Sequence, residues 1–355
     1  MSRKVKLGFV GCGAMGQTAH LANFATIPDC EIAALAEGRQ KTAELVARRY
    51  GIPKVYPNHR AMLESEPDLD AVVAIMWYSL HPSVVPDILN AGKHVMTEKP
   101  ICLRVDNARR MAKLADEKGL IYMVGYMKRS LPASVAAVER ILQWKQTGAA
   151  GRMNYLRASM PPGDWTFGIQ WGINAGDSAP AYEGEVPESA PEWMSEEMGR
   201  KYDAFVNYYI HQVNMIRYLL GEDYHVEYAD ASEAVMVGRS ASGVTVVLEM
   251  KGHGSHRSWE ERYMVSFDNG LIDLAVPAPM AQQNGGEVRF YWGGDEGNPP
   301  RWEQPVMPAV WSMLAQARHF VECVRDGKPT RSPASEAVKD LEVAEQYIRA
   351  LCRGS

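Results

Sequence analysis

Apolar and polar positions follow two different rhythms along this chain. Over the first 125 residues, short apolar runs take turns with stretches of helical period. VKLGFV (5–10) reads as a buried strand, and AMGQTAHLANFATI after it as a helix. EIAALAE (31–37) is a second strand, followed by the polar-faced helix RQKTAELVARRY. DAVVAIM (70–76) is a third, and HPSVVPDILNAG is a helix closed by Gly92. KHVMT (93–97), the helix RVDNARRMAKLADEKG ending at Gly119, and the strand LIYMVGY complete the series. Strands alternating with helices predict an α/β unit, a parallel sheet covered on both faces.

After residue 126 the rhythm changes. ASVAAVERILQWKQTG is a helix ended by Gly148. A loop-rich stretch, about 161 to 195, carries many Pro, Gly, Trp and acidic residues; loops of this length are usually functional or disordered. From about 225 to 292, HVEYADASEAVMVG, GVTVVLEMKG, RYMVSFDNGLIDLAV and GEVRFYWG read as antiparallel strands, with DNG as a hairpin turn. Helix returns in AVWSMLAQARHFVECVRDG and ASEAVKDLEVAEQYIRALC. There is no internal repeat.

Composition narrows the partners. The 355 residues suffice for about two domains. Net charge is −5, from 38 basic and 43 acidic residues. With no strongly basic block, this argues against a nucleic-acid partner. Cys12, Cys30, Cys102, Cys323 and Cys352 form no CxxC pair, which fits a reducing cytosol and no structural zinc. LGFV is too short for a signal segment, and the apolar run AVVAIMWYSL is well short of the roughly 20 residues that span a bilayer. The expectation is a soluble, cytoplasmic protein with no membrane partner.

GCGAMG supplies Gly11, Gly13 and Gly16, with Ala14 and Met15 between them, after a predicted strand and at the start of a predicted helix. That context gives an otherwise weak pattern its meaning. The first glycine allows a tight turn, the second lets a pyrophosphate approach the backbone, and the third lets helix and strand pack closely. The helix N-terminus offers amide donors and a positive dipole end to the phosphates. Glu37 ends the second strand, where an acid binds the adenosine ribose hydroxyls and repels a 2′-phosphate. NAD is therefore expected over NADP, although Arg39 could accommodate the phosphate. The alternative is a plain glycine turn with a solvated glutamate.

Ligands of open parallel sheets bind at the carboxyl ends of the strands. Trp77, Tyr78 and His81 (WYSLH) follow one such end, and HVMTEKPIC (94–102) contains another. Both stretches should face the cofactor. In the second, Glu98 and Lys99 are either a solvated ion pair worth about 0–1 kcal/mol or a catalytic corner. The residue types alone leave both readings open.

FVNYYIHQVNMIRYLLG (205–221) reads as one amphipathic helix stopped by Gly221, with Val206, Ile210, Val213 and Leu220 as its buried stripe. Asn207, His211 and Asn214 follow at i, i+4 and i+7 and so share a face. A lone histidine there is ordinarily a satisfied polar flank.

Together, GCGAMG, AGKHVMTEKP, GYMKRSLP and IHQVNMIRYLLG resemble the glucose–fructose oxidoreductase / inositol dehydrogenase / rhizopine-catabolism family of NAD(P)-dependent sugar and cyclitol oxidoreductases. The resemblance covers nearly the whole chain, FVECVRDGKPTRSP included, and AGKHV–EKP is far more specific than the glycine motif. It implies an N-terminal Rossmann doubly wound parallel sheet (1–125). An α+β substrate and oligomerisation domain with a large open, mostly antiparallel sheet follows (126–308). C-terminal helices (309–355) then pack back near the Rossmann domain. It also implies that Lys99 reaches substrate and nicotinamide, that Glu98 braces the site, and that the Lys99–Pro100 bond is often cis. The family places an acid, then a histidine four residues on, then a further acid three residues beyond. Here the histidine is His211 and both acidic positions hold asparagine, Asn207 and Asn214. Loss of the neighbouring carboxylate favours a neutral His211, a competent general base near neutral pH.

Tyr126 and Met127 match a stretch that lies beside nicotinamide and substrate in the family. Lys128 and Arg129 either bind hydroxyls or cap the surface, and Trp77 and Tyr78 either wall the nicotinamide pocket or fill core. Asp164, Trp165, Trp171 and Asp177, in PPGDWTFGIQWGINAGD, combine aromatic faces with carboxylates, which suits sugar rings; the alternative is a loop packed on itself. His253 and His256 (HGSH) stand at i, i+3 on a predicted strand and point to opposite faces, so no metal site is expected.

The expected activity is NAD-dependent hydride transfer from a secondary alcohol of a sugar, glycoside or cyclitol. His211 takes the proton, Lys99 hydrogen-bonds the oxygen, and Asn207 bonds a hydroxyl. Two other readings are an enzyme that cleaves glycosides by oxidation, elimination and re-reduction, and a non-catalytic NAD-binding regulator. The resemblance implies a homodimer or homotetramer.

Overall fold

The computed structural model describes residues 3–166, 169, 171–180, 186–251 and 258–353. His253 and His256 lie outside the described residues. Packing divides the chain into two compact units. The first contains the chain up to Tyr126, Ile169–Ser195 and Met313–Leu341; the second contains Met127–Gly168, Glu196–Ser312 and Glu342 onward.

The first unit is a six-stranded sheet in the order β3-β2-β1-β4-β5-β6. Its strands are β1 Val5–Val10, β2 Cys30–Ala36, β3 Lys54–Tyr56, β4 Ala71–Ala74, β5 His94–Thr97 and β6 Tyr122–Val124. Every neighbouring pair is parallel. β4 (AVVA) is buried along its whole length, as a strand covered on both faces must be. The helices are α2 Gln40–Tyr50, α3 His59–Ser65, α4 His81–Asn90 and α5 Val105–Glu117. Gly92 (φ 73°) after α4 and Gly119 (φ 64°) after α5 stand in the left-handed region where the sequence places the helix stops, and Gly51 (φ 67°) does the same after α2, while β3 and α3 are additions to the predicted series. The first helix, α1, departs from expectation. It opens with a wide π turn over Gly16–Leu21 before a short α-helical end at Ala22–Phe24. Phe24 packs edge-on to Phe9 at 5.4 Å and to Phe320 at 6.4 Å, so α9 (Ser312–Asp326) closes this core.

The second unit is an eight-stranded sheet in the order β14-β13-β12-β11-β7-β10-β9-β8. Its strands are β7 Met153–Ser159, β8 Tyr224–Ala229, β9 Val235–Ser240, β10 Thr245–Glu249, β11 Arg262–Phe267, β12 Gly270–Ala275, β13 Glu287–Trp292 and β14 Arg301–Glu303. All neighbours are antiparallel except β7 and β10, which run parallel. That exception was not legible from the strand pattern, because it joins segments far apart in sequence. Burial alternates along β11, where Tyr263, Val265 and Phe267 are buried and the residues between them are not. One face is therefore packed and the other open. The helices α6 (Pro132–Thr147) and α8 (Ile210–Leu220) cover the packed face, with Trp144 edge-on to Phe267 at 5.2 Å.

The predicted helix over 205–221 is two helices. α7 runs Glu196–Tyr208, and α8 begins at Ile210 after a break at Tyr209. α10 spans Ala334–Arg353. Among the described residues no helix is long and apolar enough to cross a membrane.

Candidate functional site

At the carboxyl edge of the parallel sheet, the three glycines have three separate reasons. Gly11 has φ 84°, and a Cβ there would stand 2.3 Å from the Ile75 carbonyl oxygen at the end of β4. A Cβ on Gly16 would stand 2.9 Å from the Gly11 carbonyl oxygen. At Gly13 an added Cβ meets nothing within 4 Å. The turn is thus closed on its inner side and open at its middle glycine. Ala14 and Met15 lead into the first turn of α1. Gln17 is buried and fastens the turn, its amide donating to the Cys12 carbonyl at 2.7 Å.

Glu37 accepts from the Cys12 amide at 3.0 Å and is forked by Arg39, through Nε at 2.9 Å and Nη2 at 2.8 Å. Burial alone would raise its carboxyl, but the Arg39 and Cys12 hydrogen bonds outweigh that and hold it at about 2. Glu37 is therefore an anion just beyond the end of β2, and Arg39 is bonded to it.

The loop after β4 presents Trp77, which is 73% exposed, with Tyr78 edge-on at 6.4 Å. His81 opens α4 and is fully buried; its Nδ1 donates to the Ile101 carbonyl at 2.9 Å. Burial lowers its pKa to about 4, so the ring is neutral. His81 thereby anchors the stretch just beyond Pro100.

The Glu98–Lys99 corner follows β5, and its Lys99–Pro100 bond is cis. The corner is braced from behind by a residue that sequence reasoning missed. His20, on the π turn of α1 and 1% exposed, lies with Nε2 2.7 Å from Glu98 Oε1. Glu98 Oε2 accepts the Lys99 amide at 3.1 Å. Burial raises the Glu98 carboxyl, and the His20 hydrogen bond with the His20 and Lys99 charges more than reverses this, so the group is held ionised. Gly125 must be glycine beside it, because a Cβ would approach the Thr97 carbonyl oxygen to 2.9 Å. Lys99 is half-buried and Tyr126 is buried.

Part of the long loop also belongs to this unit. Trp171 is 66% exposed. Asp177, expected beside a sugar, instead binds the start of α2, accepting from the Lys41 amide at 2.8 Å and from Thr42 Oγ1 at 2.5 Å. Glu188 similarly binds the start of α5, accepting from the Leu103 amide at 2.6 Å and from Asn107.

In the second unit, Met127 is buried, and the two cations after it are buried and committed to partners. Lys128 Nζ donates to both Glu261 oxygens, at 2.7 and 2.6 Å. Glu261 also accepts from Gln212 at 2.8 Å and from the Tyr263 hydroxyl at 2.6 Å. Burial lowers the Lys128 pKa against the opposing pull of Glu261. Arg129 Nε donates to Asn214 Oδ1 at 2.7 Å and its guanidinium stacks over Tyr218 at 4.9 Å. Asn214 is thus an acceptor for arginine. Asn207 is exposed on α7, whereas His211 and Asn214 are buried on α8. The break at Tyr209 divides the polar face that a single helix predicts. Asp164 accepts from the amide and hydroxyl of Thr166 at 2.9 and 2.6 Å, closing a local turn, and Trp165 is half-buried.

His20, Asp177 and Glu261 were missed in these roles because each acts across a long sequence separation. Only the presence of a histidine in an otherwise apolar helix face hinted at the first. Among the described residues no group of His, Cys, Asp and Glu is arranged to hold a metal ion.

Residues 5–126 match the oxidoreductase family with NAD-binding Rossmann fold, GFO_IDH_MocA. The chain is 24% identical to scyllo-inositol 2-dehydrogenase (NAD(+)) of Bacillus subtilis, over 97% of this chain and 93% of that protein. It is 25% identical to levoglucosan dehydrogenase of Pseudarthrobacter phenanthrenivorans, over 83% of this chain and 73% of that one. The fold matches that of aldose-aldose oxidoreductase from Caulobacter crescentus complexed with glycerol, with a TM-score of 0.70 at 24% identity, covering 99% of each chain.

Proposed function

The chain belongs to the GFO_IDH_MocA oxidoreductase family, and from that premise we propose that it is an NAD-dependent dehydrogenase of a secondary alcohol on a sugar or cyclitol. The observation that carries this reading is the corner after β5, where the half-buried Glu98 carboxylate is fixed by His20 and by the Lys99 amide. A carboxylate so held keeps the backbone of Lys99 in one place at the carboxyl edge of the sheet, where ligands of such sheets bind.

The residues present fit a dinucleotide. The open side of Gly13 and the amides of Ala14 and Met15 suit the pyrophosphate, and ionised Glu37 suits the ribose hydroxyls. NAD, when bound, supplies the hydride acceptor. The protein supplies orientation and electrostatics. In the oxidation direction His211 accepts the hydroxyl proton, and Lys99 donates a hydrogen bond to the oxygen as it gains carbonyl character. Asn207 bonds a neighbouring hydroxyl, and Trp77 and Tyr78 shield the nicotinamide side. The substrate class is supported by relatives that act on inositol and levoglucosan. Lys128 and Arg129 are tied within the second unit to Glu261 and Asn214.

The test is a screen of polyols and sugars for NADH formation, followed by Lys99→Met and His211→Ala. Each variant should still bind NADH while turnover falls by roughly 10²–10⁴-fold. Wild-type turnover in either variant would sink the assignment of that residue.

A further inference from the structure

The start of α2 holds a carboxylate delivered from far along the chain. Asp177 Oδ2 accepts from the amides of Lys41 at 2.8 Å and Thr42 at 3.4 Å, and its Oδ1 accepts from Thr42 Oγ1 at 2.5 Å. The segment carrying it is built onto the nucleotide edge. The Ala175 amide donates to Thr42 Oγ1 at 3.1 Å. Ile173 exchanges two hydrogen bonds with the side chain of Gln17, at 2.7 and 2.8 Å. Gly176 turns the chain with φ 77°. Ala179 lies so close to Gly38 that a Cβ there would stand 3.0 Å from its methyl.

We propose that Asp177 is a determinant of dinucleotide choice, seated where the adenosine 2′-phosphate of NADP would need its donors. The inference rests on the reading of this edge as a dinucleotide site. Glu37 fixes where the ribose hydroxyls lie, and a phosphate on the 2′-oxygen must then be received by the residues that follow β2. Those residues are Arg39 and the first amides of α2. Arg39 is forked onto Glu37. The amides and hydroxyl of Lys41 and Thr42 are held by Asp177. A dianionic phosphate would meet two carboxylates there, with the Arg39 guanidinium and the Lys41 and Thr42 amides already engaged by them, whereas a ribose bearing only hydroxyls meets an acceptor. Glu37 alone repels the phosphate; Asp177 in addition occupies the anion-binding end of the helix.

The experiment titrates full-length protein with NADH and NADPH, following quenching of intrinsic tryptophan fluorescence, in wild type, Asp177→Ala and Asp177→Asn. Asp177→Ala should tighten NADPH by about tenfold, the effect of removing a like charge from beside a dianion and freeing its donors. NADH affinity should change less than about threefold, and Asp177→Asn should fall between wild type and Asp177→Ala. Asp177 is half-buried on a loop outside the hydrophobic core, and a thermal melt verifies that both variants are folded. Unchanged NADPH affinity in both variants, with NADH still bound, overturns this inference alone. So does a wild type that prefers NADPH. A wild type that binds neither dinucleotide overturns the proposed function together with it.

Discussion

Two carboxylates, Glu98 and Glu261, show how differently the two units bury an acid against a basic side chain. In the first unit, Glu98 and His20 face each other 2.7 Å apart, and the next residue, Lys99, is only half-buried. In the second, Lys128 and Glu261 are 3% and 2% exposed, and Gln212 and Tyr263 satisfy the carboxylate further. Both would be counted alike as cations and acids in a motif. Yet one pair is closed off from solvent, while Glu98 and the neighbouring Lys99 are both half-buried at the carboxyl end of β5. The two pairs differ in exposure more than in residue type.

That contrast can be broken most forcefully from the sealed side. Lys128→Met leaves Glu261 buried without its cation and should cost about 3–5 kcal/mol in chemical denaturation. Adding Glu261→Leu should recover much of the loss, because an apolar pair can replace a buried ionic one. A single variant as stable as wild type would mean that the pair is not closed. At the ligand edge, the contrast is between Gly11 and Gly13. Gly11→Ala forces a Cβ against the Ile75 carbonyl at a positive φ and should lower stability by at least about 1–3 kcal/mol. Gly13→Ala should melt like wild type but weaken NADH by roughly tenfold or more, read by fluorescence titration. The smallest effect is the pH slope from Glu37. Its folded-state pKa of about 2 lies below its ordinary 4.5. The stability it contributes is therefore present above about pH 4.5 and is lost as pH falls toward 2. Melting temperatures of Glu37→Gln between pH 5 and 3 should decline less steeply than those of wild type.

Much of the fold is legible in local pattern. The βα alternation, the glycine turn and the DNG hairpin each lie within a few residues, and the parallel order of the first sheet follows from them. At EKP the residue types leave a surface ion pair and a catalytic corner equally open, and only the family resemblance favours the second. What sequence reasoning could not reach is distant contact. His20 meets Glu98 only after β1 and β5 are placed in one sheet. Asp177 was read with its tryptophan neighbours as a sugar-binding feature, since nothing near it in sequence points to α2. The break at Tyr209 hides inside an unbroken apolar stripe, because the backbone bends by only one residue while the pattern continues.

The parallel pairing of β7 with β10 bears on how the chain is made. β7 lies between β10 and β11, and both of those strands are synthesised long after it. As the chain leaves the ribosome, Met153–Ser159 emerges with both hydrogen-bonding edges unmatched and waits until residues 245–267 have followed. Such long-range closure slows folding and exposes strand edges while it lasts. The centre of the open sheet is thus the first of its strands to be born and among the later ones to find its neighbours, so nascent-chain aggregation should be concentrated at β7.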